Sequence, residues 1–311
     1  MSTKALGLNY FKDDKCPVIL YRVDHRHEIT HEHDLTEVEH HHDFIEIVII
    51  LDGQGIQVVG ANEYAVAAGD VFVLQGHQSH YFKDARKIDI VNVMFEGSRK
   101  ANLIPDKIKQ LDGYSALFII EPNYRDRDHF KNRLKLNREE LIKLESLLNG
   151  MFEELQNKEE GYDMILRNRF QELVVMLCRH YNKIGSTEVR SMVRIGKVIE
   201  FLENNLDRKI YITEMADIAY MSVRNFQRTF QRALGLSPIN YLIQVRLQKA
   251  RKLLRETGLE IAEISSLTGF TDVSHFNKCF KNYIKITPYK YRSHYIHETN
   301  PVLGSTLAQP E

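Results

Sequence analysis

The sequence is poor in cysteine, has no tryptophan and contains no long apolar run. Its three cysteines, Cys16, Cys178 and Cys279, form no CxxC pair and no disulfide framework, which favours a reducing cytoplasm. No apolar run approaches the roughly 18–20 residues that a membrane-spanning helix needs. The first stretch of the chain also lacks the apolar core of a signal peptide. We therefore expect a cytoplasmic protein that has no membrane partner.

The chain also lacks a net charge, because 42 Lys and Arg residues balance 42 Asp and Glu residues. The balance is uneven along the chain: residues 191–295 contain 17 Lys or Arg and 9 Asp or Glu. The C-terminal third is therefore basic and the remainder is acidic. This asymmetry favours a polyanionic partner for the C-terminal third. An uneven spread of charge without such a partner is the alternative.

The texture of the sequence changes twice along the chain. Short apolar or alternating runs with Gly and Asp-Gly turns cover residues 18–96, which is typical of a small barrel or sandwich. From residue 137 to 181, apolar residues recur at the spacing of two amphipathic helices. The sequence therefore predicts an α+β fold, with an N-terminal domain at 1–182, a linker at 183–191, an all-α domain at 192–295 and a tail at 296–311.

A repeat at a spacing of fifty residues organises the C-terminal domain. Residues 222–241 align with residues 272–291, and their apolar positions coincide: Val223, Phe226 and Phe230 match Val273, Phe276 and Phe280. The i, i+3, i+7 spacing is that of the buried face of a helix. Ser222 and Asp272 stand where helix N-caps are expected.

The opposite face of each repeated helix is polar and basic. It carries Arg224, Gln227, Arg228 and Gln231 in the first copy and Ser274, Asn277, Lys278 and Lys281 in the second. Each helix follows a shorter amphipathic helix through a tight turn, which predicts helix-turn-helix motifs at about 211–232 and 260–282. Such side chains can read base edges and neutralise phosphates. An ordinary solvated helix face is the alternative, which the repetition in register disfavours.

The segment between the two copies predicts one long helix. It begins at Ser237 and Pro238 and keeps an apolar stripe as far as Leu254. At 1.5 Å per residue this helix would span on the order of 27 Å. A rigid helix of that length could hold two reading helices about one DNA turn, roughly 34 Å, apart.

The last hundred residues resemble the signature of the AraC/XylS family of bacterial transcription regulators. The resemblance is carried by "ARKLLRETGLEIAEISSLTGFTDVSHFNKCFKNYIKITPYKYR", with its apolar spacing, its Gly269-Phe270 turn and its Thr287-Pro288 ending. It implies a homodimer that binds double-stranded DNA and acts with RNA polymerase. By position, it also implies that the bases are read by Arg224, Gln227, Arg228, Ser274, His275 and Lys278.

The chain departs from the family pattern at three positions. Tyr220 and Lys285 stand where the family usually has Gly, and Ser265 stands where it usually has Ala. Lys285 places a Cβ where a helix C-cap often requires a positive φ. We therefore expect unusual local geometry at Lys285.

Two N-terminal segments resemble the cupin motifs. "HHHDFIEIVIILDG" matches the first motif and "GDVFVLQGHQSH" the second, with Gln75 where Pro is usual. The resemblance makes His40, His42, Glu46 and His80 the positions that bind a metal in cupin enzymes. Strand alternation would put the first three on one face, where they could converge. Three imidazoles and a carboxylate suit Fe(II), Mn(II) or Zn(II).

Three interpretations of this histidine site are open. The first is a metal-dependent cupin enzyme, which the two helix-turn-helices disfavour. The second is a metal-loaded sensor. The third, which we favour, is a metal-free sensor whose His and Glu side chains hydrogen-bond a small polar ligand. Its alternative is that these histidines have only a structural role. The N-terminal pattern resembles the rhamnose-responsive members of the family, which implies L-rhamnose or another sugar as the effector.

The remaining expectations concern the architecture of the N-terminal domain. A cupin-like barrel at about 15–100 would bind the effector, and the helices at about 137–182 would pack on it and form a dimer seam. The apolar stripe of the second helix fits either that seam or the domain core: Leu166, Phe170, Leu173, Val174 and Leu177. The histidine-rich segment 24–34 reads as a surface loop. Together these features predict a ligand-responsive activator of carbohydrate-utilisation genes and not an enzyme.

Overall fold

The computed structural model describes residues 3–5, 7, 11, 17–24, 38–76, 78–85, 88–96, 103–127 and 133–299. Two compact units divide the chain, Met1–Lys197 and Val198–Glu311. No helix within the described residues is long and apolar enough to cross a membrane. The histidine-rich segment 24–34 lies, apart from Asp24, outside the described residues, so its surface loop stays a prediction.

Strands dominate the first half of the N-terminal unit, and one further strand, β10, follows later in the chain. Within the described residues they are β1 (Thr3–Ala5), β2 (Val18–Asp24), β3 (His40–His42), β4 (Ile45–Asp52), β5 (Gln54–Val59), β6 (Asn62–Ala67), β7 (Asp70–Leu74), β8 (His80–Lys83), β9 (Asp89–Phe95) and β10 (Leu134–Lys135). Gly53 and Gly69, at turns that join successive strands, have positive φ angles of 83° and 88°.

The strands form two sheets and not a closed barrel. The first sheet has the order β1-β3-β8-β5-β6 and the second β10-β7-β4-β9-β2. All pairings are antiparallel except that of β1 with β3. Closure would require hydrogen bonds between edge strands of the two sheets, and the described strands make none. The α+β class is confirmed, whereas the closed cupin-like barrel is wrong.

The two sheets bury their inner faces together. Successive residues of a strand point to opposite faces, so each apolar set collects on one side. The shared core includes Val48, Ile50, Phe72 and Leu74 from the second sheet and Val59, Tyr64 and Phe82 from the first. Polar side chains on these same inner faces are exceptions to the pattern, and they form the site described below.

A helical segment that the sequence analysis did not predict follows the strands. After the short helix α1 (Asp106–Lys109) come α2 (Asp112–Ser115), a π-helical turn (Ala116–Ile120) and α3 (Glu121–Arg127). These three pieces are continuous in the chain. A π-helical turn adds one residue to the hydrogen-bonded ring, and such turns are frequent at functional sites.

The two predicted amphipathic helices are α4 (Arg138–Asn157) and α5 (Tyr162–Asn182). Asn137 and Glu140 form a capping box that starts α4. The apolar stripe of α5 is fully buried within the N-terminal unit, and the Phe170 ring lies 4.9 Å from that of Phe95 on β9. This stripe therefore belongs to the core of the unit and not to a dimer seam.

The helix α6 (Thr187–Asn204) crosses the boundary between the two units. It occupies the second half of the predicted linker 183–191, because Ser186 Oγ accepts a hydrogen bond from Val189 N (3.2 Å) and caps the helix at that point. Glycines let the helices pack closely here: a Cβ on Gly196 would lie 3.1 Å from Ser115 Cβ of α2.

Helices joined by short turns make up the described residues of the C-terminal unit, which begins within α6. Its helices are α7 (Ile212–Ile218), α8 (Val223–Leu234), α9 (Pro238–Glu256), α10 (Ile261–Leu267), α11 (Val273–Ile284) and α12 (Pro288–Thr299). The helix α12 extends into the predicted tail 296–311, whose remainder from residue 300 lies outside the described residues. The long helix between the repeats is α9, with Pro238 at its start.

The repeat in the sequence is also a repeat of contacts. Phe226 and Phe230 bury their rings 5.5 Å apart, and Phe276 and Phe280 do so at 5.7 Å. Each second ring then meets a tyrosine at 5.5 Å in an edge-on geometry, Phe230 with Tyr241 and Phe280 with Tyr291. Equivalent aromatic contacts in both copies fix each helix-turn-helix to the helix that follows it.

Candidate DNA-binding face and candidate effector site

The helices α8 and α11 are the second helices of the two helix-turn-helix motifs. Ser222 Oγ accepts a hydrogen bond from Asn225 N (3.4 Å), and Asp272 Oδ1 accepts one from His275 N (2.6 Å). Both predicted N-caps therefore form in the structure. The first helices of the motifs are α7 and α10, and the second helices end at Leu234 and Ile284.

The polar faces of both helices are open to solvent. Every side chain predicted to contact DNA is exposed: Arg224, Gln227, Arg228, Gln231, Ser274, His275, Asn277, Lys278 and Lys281. Three of these side chains contact their own helix, since Arg228 donates to Asn225 Oδ1 (3.0 Å), Gln231 donates to Gly235 O (2.9 Å), and a His275 ring nitrogen lies 3.4 Å from Cys279 Sγ. The arrangement supplies exposed donors for base edges and cations for phosphates on each helix.

Two of the three departures from the family pattern, Tyr220 and Lys285, take up a left-handed backbone, whereas Ser265 lies within the helix α10. Lys285, the C-cap of α11, has φ 70°, and Gly235, the C-cap of α8, has φ 72°. Tyr220 has φ 52° in the first turn, while Gly269 has φ 76° in the second. The backbone therefore keeps the left-handed conformation at both positions where another residue stands in place of glycine. Tyr220 and Lys285 adopt a φ angle that glycine favours.

The four histidine-site residues converge, by a different route from the predicted one. His40 and His42 lie on β3 in the first sheet, and Glu46 lies on β4 in the second. A bend at Asp43 and Phe44 separates them, so they do not share one strand face as predicted. His80 on β8 is the register partner of His40. The carboxylate and the imidazoles therefore approach from opposite sheets across the interior.

Three of these residues present ligand atoms to one point. Glu46 Oε2 lies 3.2 Å from His42 Nε2 and 3.3 Å from His80 Nε2. One ligand atom from each of these residues falls within 4.8 Å of the others. His40 is the fourth member, with its ring 4.3 Å from the His80 ring. All four side chains are buried.

Backbone carbonyls fix the orientation of these imidazoles. His42 Nδ1 lies 2.9 Å from Phe44 O, and His80 Nδ1 lies 3.0 Å from Gln78 O. A carbonyl only accepts, so Nδ1 carries a proton in both rings and Nε2 is directed at Glu46. Contact with the carboxylate then requires either a protonated ring or a cation at that point.

The environment of Glu46 holds its carboxylate ionised. Burial alone raises the pKa of Glu46, but the adjacent imidazoles of His42 and His80 outweigh it and hold the pKa well below its ordinary range. A glycine keeps the nearby bend in place, because a Cβ on Gly76 would lie 2.9 Å from His42 O and from Phe44 O.

Several buried polar residues of the N-terminal unit were not predicted, and four of them bear on the interior between the sheets. Gln57 on β5 and Asn92 on β9 face the interior between the sheets. Glu121 and Arg125 form a buried ion pair on α3, and burial raises the pKa of Glu121 although Arg125 opposes it. Gln57 and Asn92 occupy ordinary inward positions of strand alternation. A Glu-x-x-x-Arg spacing is the one sequence signal that could have indicated the pair.

Comparison with protein families assigns both halves of the chain. Residues 23–174 match an AraC-like ligand-binding domain, and residues 215–294 match a helix-turn-helix domain. The combination defines a ligand-responsive transcription regulator that binds DNA. The chain belongs to the AraC/XylS family, as the sequence resemblance implied.

Two curated proteins to which the chain is similar carry the same functional name. The chain is 29% identical over 255 residues to "HTH-type transcriptional activator RhaS" from Enterobacter sp. (strain 638), a match that covers 82% of this chain and 87% of that protein. It is 27% identical to the protein of the same name from Klebsiella pneumoniae (strain 342), over 80% of this chain and 85% of the relative. These comparisons identify a regulator and not an enzyme.

Among solved structures, the chain is similar to an AraC-type DNA-binding domain-containing regulator from Chromobacterium violaceum. The identity is 28%, the match covers 34% of this chain and 94% of that one, and the TM-score is 0.33.

Proposed function

We propose that the protein activates carbohydrate-utilisation genes when a sugar, with L-rhamnose as the first candidate, binds between the two sheets of the N-terminal unit. The observation that carries this proposal is the buried convergence of His40, His42, Glu46 and His80. Such groups offer directed donors and acceptors to hydroxyls in a partly apolar interior. The name that the relatives carry, transcriptional activator RhaS, supports the same direction.

A thermal-shift screen of monosaccharides tests the effector. A ligand that binds only the folded protein raises its melting temperature as the ligand concentration exceeds Kd. We expect L-rhamnose to do so with the wild type and not with His42→Ala. A screen in which no monosaccharide shifts the wild type would contradict the sugar proposal.

A metal-loaded sensor is the second candidate, and one observation favours it. The Nε2 atoms of His42 and His80 and a carboxylate oxygen of Glu46 meet at one point, with Nδ1 of both rings held by carbonyls. These three residues, with His40 beside them, fit a divalent cation that would polarise hydroxyls of the effector. Our first proposal remains the metal-free site. Elemental analysis of protein purified without an affinity tag, at about one metal per chain, would overturn it.

The DNA-binding proposal assigns base reading to the exposed faces of α8 and α11. We expect Arg228→Ala and Lys278→Ala each to weaken binding to the selected operator by roughly 1–3 kcal/mol if they read bases. The measurement is a titration of operator DNA, chosen by the wild type from random sequences, against a scrambled duplex. Specificity should fall for both variants.

The control for this experiment is Lys252→Ala, which removes an exposed cation from α9 outside both reading faces. It should leave specificity unchanged. If Arg228→Ala and Lys278→Ala also keep the wild-type footprint, the base-reading assignment is wrong. We further propose that the active species is a cytoplasmic homodimer that contacts RNA polymerase, which sedimentation and reconstituted transcription test.

A further inference from the structure

Polar side chains from β3, β8 and β5 share the inner face of the first sheet with apolar core residues. His40 on β3 pairs with His80 on β8, and His80 pairs with Val59 on β5. Gln57 lies two residues before Val59 on β5, so both side chains are on the same face. Gln57 then pairs with Tyr64 on β6. Directly paired residues share a face of the sheet. A row of positions on this face therefore runs from the histidine cluster through Gln57 towards Tyr64.

Gln57 is a buried amide without a partner. The residue is 0% exposed, and neither its Oε1 nor its Nε2 makes a hydrogen bond within the described part of the chain. Its two register partners, Tyr64 and Phe82, both belong to the apolar core. Buried side-chain amides are nearly always hydrogen-bonded, so an unpaired one requires a bound molecule or water.

The same row ends at a second set of unpaired polar atoms, on α3. The Arg125 guanidinium lies 4.7 Å from the centre of the Phe72 ring and 5.8 Å from that of Tyr64, and it is almost fully buried. One of its nitrogens binds Glu121, while Nε and Nη1 make no hydrogen bond within the described residues. Oε2 of Glu121 likewise has no hydrogen-bond partner among the described residues.

Backbone contacts hold α3 against this end of the sheet. Tyr64 Oη donates to Arg125 O (2.7 Å), and Asn62 Nδ2 donates to the same carbonyl (3.2 Å). Gln78, which precedes His80 by two residues, donates from Nε2 to Pro122 O (2.8 Å). The segment that carries Arg125 therefore contacts Tyr64 and, through Gln78, the residue whose carbonyl orients His80.

We propose that Gln57 and the Arg125–Glu121 pair bind hydroxyl groups of the effector, and so extend its site from the histidine cluster across the first sheet. This inference rests on the proposed sugar-sensing function. The ligand class follows from the groups: Gln57 offers a donor and an acceptor, Arg125 offers donors, and Glu121 offers an acceptor. Because Glu121 neutralises Arg125, the site fits an uncharged polyol better than a sugar acid.

The test is calorimetric titration of the full-length protein with L-rhamnose, L-mannose and D-galacturonate. Gln57→Met keeps the length of the side chain and removes its hydrogen-bonding groups. We expect it to weaken the binding of the neutral sugar about tenfold, while it raises the melting temperature of the ligand-free protein by about 2–4 °C, since an unpaired buried amide is removed. Gln54→Met, at an exposed position of the same strand, is the matched control and should change neither.

The charged pair has its own variants. Glu121→Gln leaves the Arg125 charge without its partner, and we expect it to weaken binding of the neutral sugar and to create measurable binding of D-galacturonate. If that variant fails to fold, the double variant Glu121→Gln with Arg125→Met removes both charges. It should lose affinity for the neutral sugar at an unchanged far-ultraviolet spectrum.

The outcomes separate the two proposals. If the wild type binds a neutral sugar and Gln57→Met binds it equally well, ordered water satisfies the amide and the extended site is wrong, while the sensing function stands. If the wild type binds none of the sugars, both proposals are overturned. Loss of affinity in Gln57→Met with wild-type affinity in Gln54→Met supports the extended site.

Discussion

At the scale of single residues, the C-cap of α11 combines an ordinary backbone with an unusual side chain. Lys285 has φ 70°, close to the 72° of Gly235 at the equivalent position of the repeat. A Cβ in this region costs about 1–2 kcal/mol, which glycine avoids. Lys285 Nζ donates to Asn282 O (2.8 Å), and this contact offsets part of the cost.

Replacing Lys285 with glycine should therefore stabilise the C-terminal unit. Because glycine also gains freedom in the unfolded chain, we expect a net increase of about 0.5–1 kcal/mol in the free energy of unfolding. Chemical denaturation measures it. Lys285→Ala loses the same hydrogen bond and keeps the Cβ, so it should show no gain. Equal stabilisation by both substitutions would mean that strain at this cap is not the cause.

At the scale of one element, α5 has a buried face and an exposed one. Phe170 packs against Phe95 with no exposed surface, whereas Met164 on the same helix is 68% exposed. Both residues suit an amphipathic helix, but only the first contributes to the core. The stability of the N-terminal unit should therefore depend on Phe170 and not on Met164.

We expect Phe170→Ala to lower the free energy of unfolding by about 3–5 kcal/mol, since it leaves a cavity in a packed core. Met164→Ala is the control and should have little effect. Thermal denaturation over a hundredfold range of protein concentration checks the cause. A loss that varies with concentration would instead indicate that Phe170 lies at a subunit interface.

At the scale of the whole molecule, charge and burial separate the two binding functions. The basic residues 191–295 include exposed Arg and Lys side chains on α8 and α11. The proposed effector site, in contrast, consists of buried groups. Salt screens exposed charges far more than buried ones.

Raising the salt concentration from about 50 to about 200 mM should therefore lower DNA affinity by at least roughly tenfold. The reason is that Lys and Arg side chains release counterions when they bind phosphates, and added salt opposes that release. Binding of a neutral sugar should stay nearly constant over the same range. Parallel titrations of the full-length protein measure both. A sugar affinity that fell as steeply as the DNA affinity would show that charge dominates effector binding.

Local patterns in the sequence were sufficient to predict most helices of the C-terminal unit. Helix periodicity, N-caps at Ser222 and Asp272 and the aromatic repeat all depend on residues within a few turns of each other. The side chains that the family resemblance assigned to base reading are exposed on α8 and α11, and their role stays a prediction. Contacts that are close in sequence are the ones that sequence patterns report best.

Features that depend on long-range packing were missed. Strand alternation predicts on which face of its strand Gln57 lies. It does not predict that a second sheet covers this face with apolar side chains. The bend at Asp43 and Phe44 moves Glu46 into a different sheet from His42, which motif spacing does not indicate. The helix that carries Arg125 was missed because its π-helical turn interrupts the 3.6-residue period.

The π-helical turn Ala116–Ile120 also fixes the rotation, about the helix axis, of the contacts before it relative to the contacts after it. Before it, Gly113 lies against Cys178 O of α5 and Ser115 against Gly196 of α6. After it, Arg125 O accepts the hydrogen bond from Tyr64. Each residue turns a helix by about 100°. Deleting one residue within Ala116–Ile120 would therefore rotate one end of the segment relative to the other by that angle. Point substitutions in the turn leave this angle intact, so the length of the segment is more constrained than its composition.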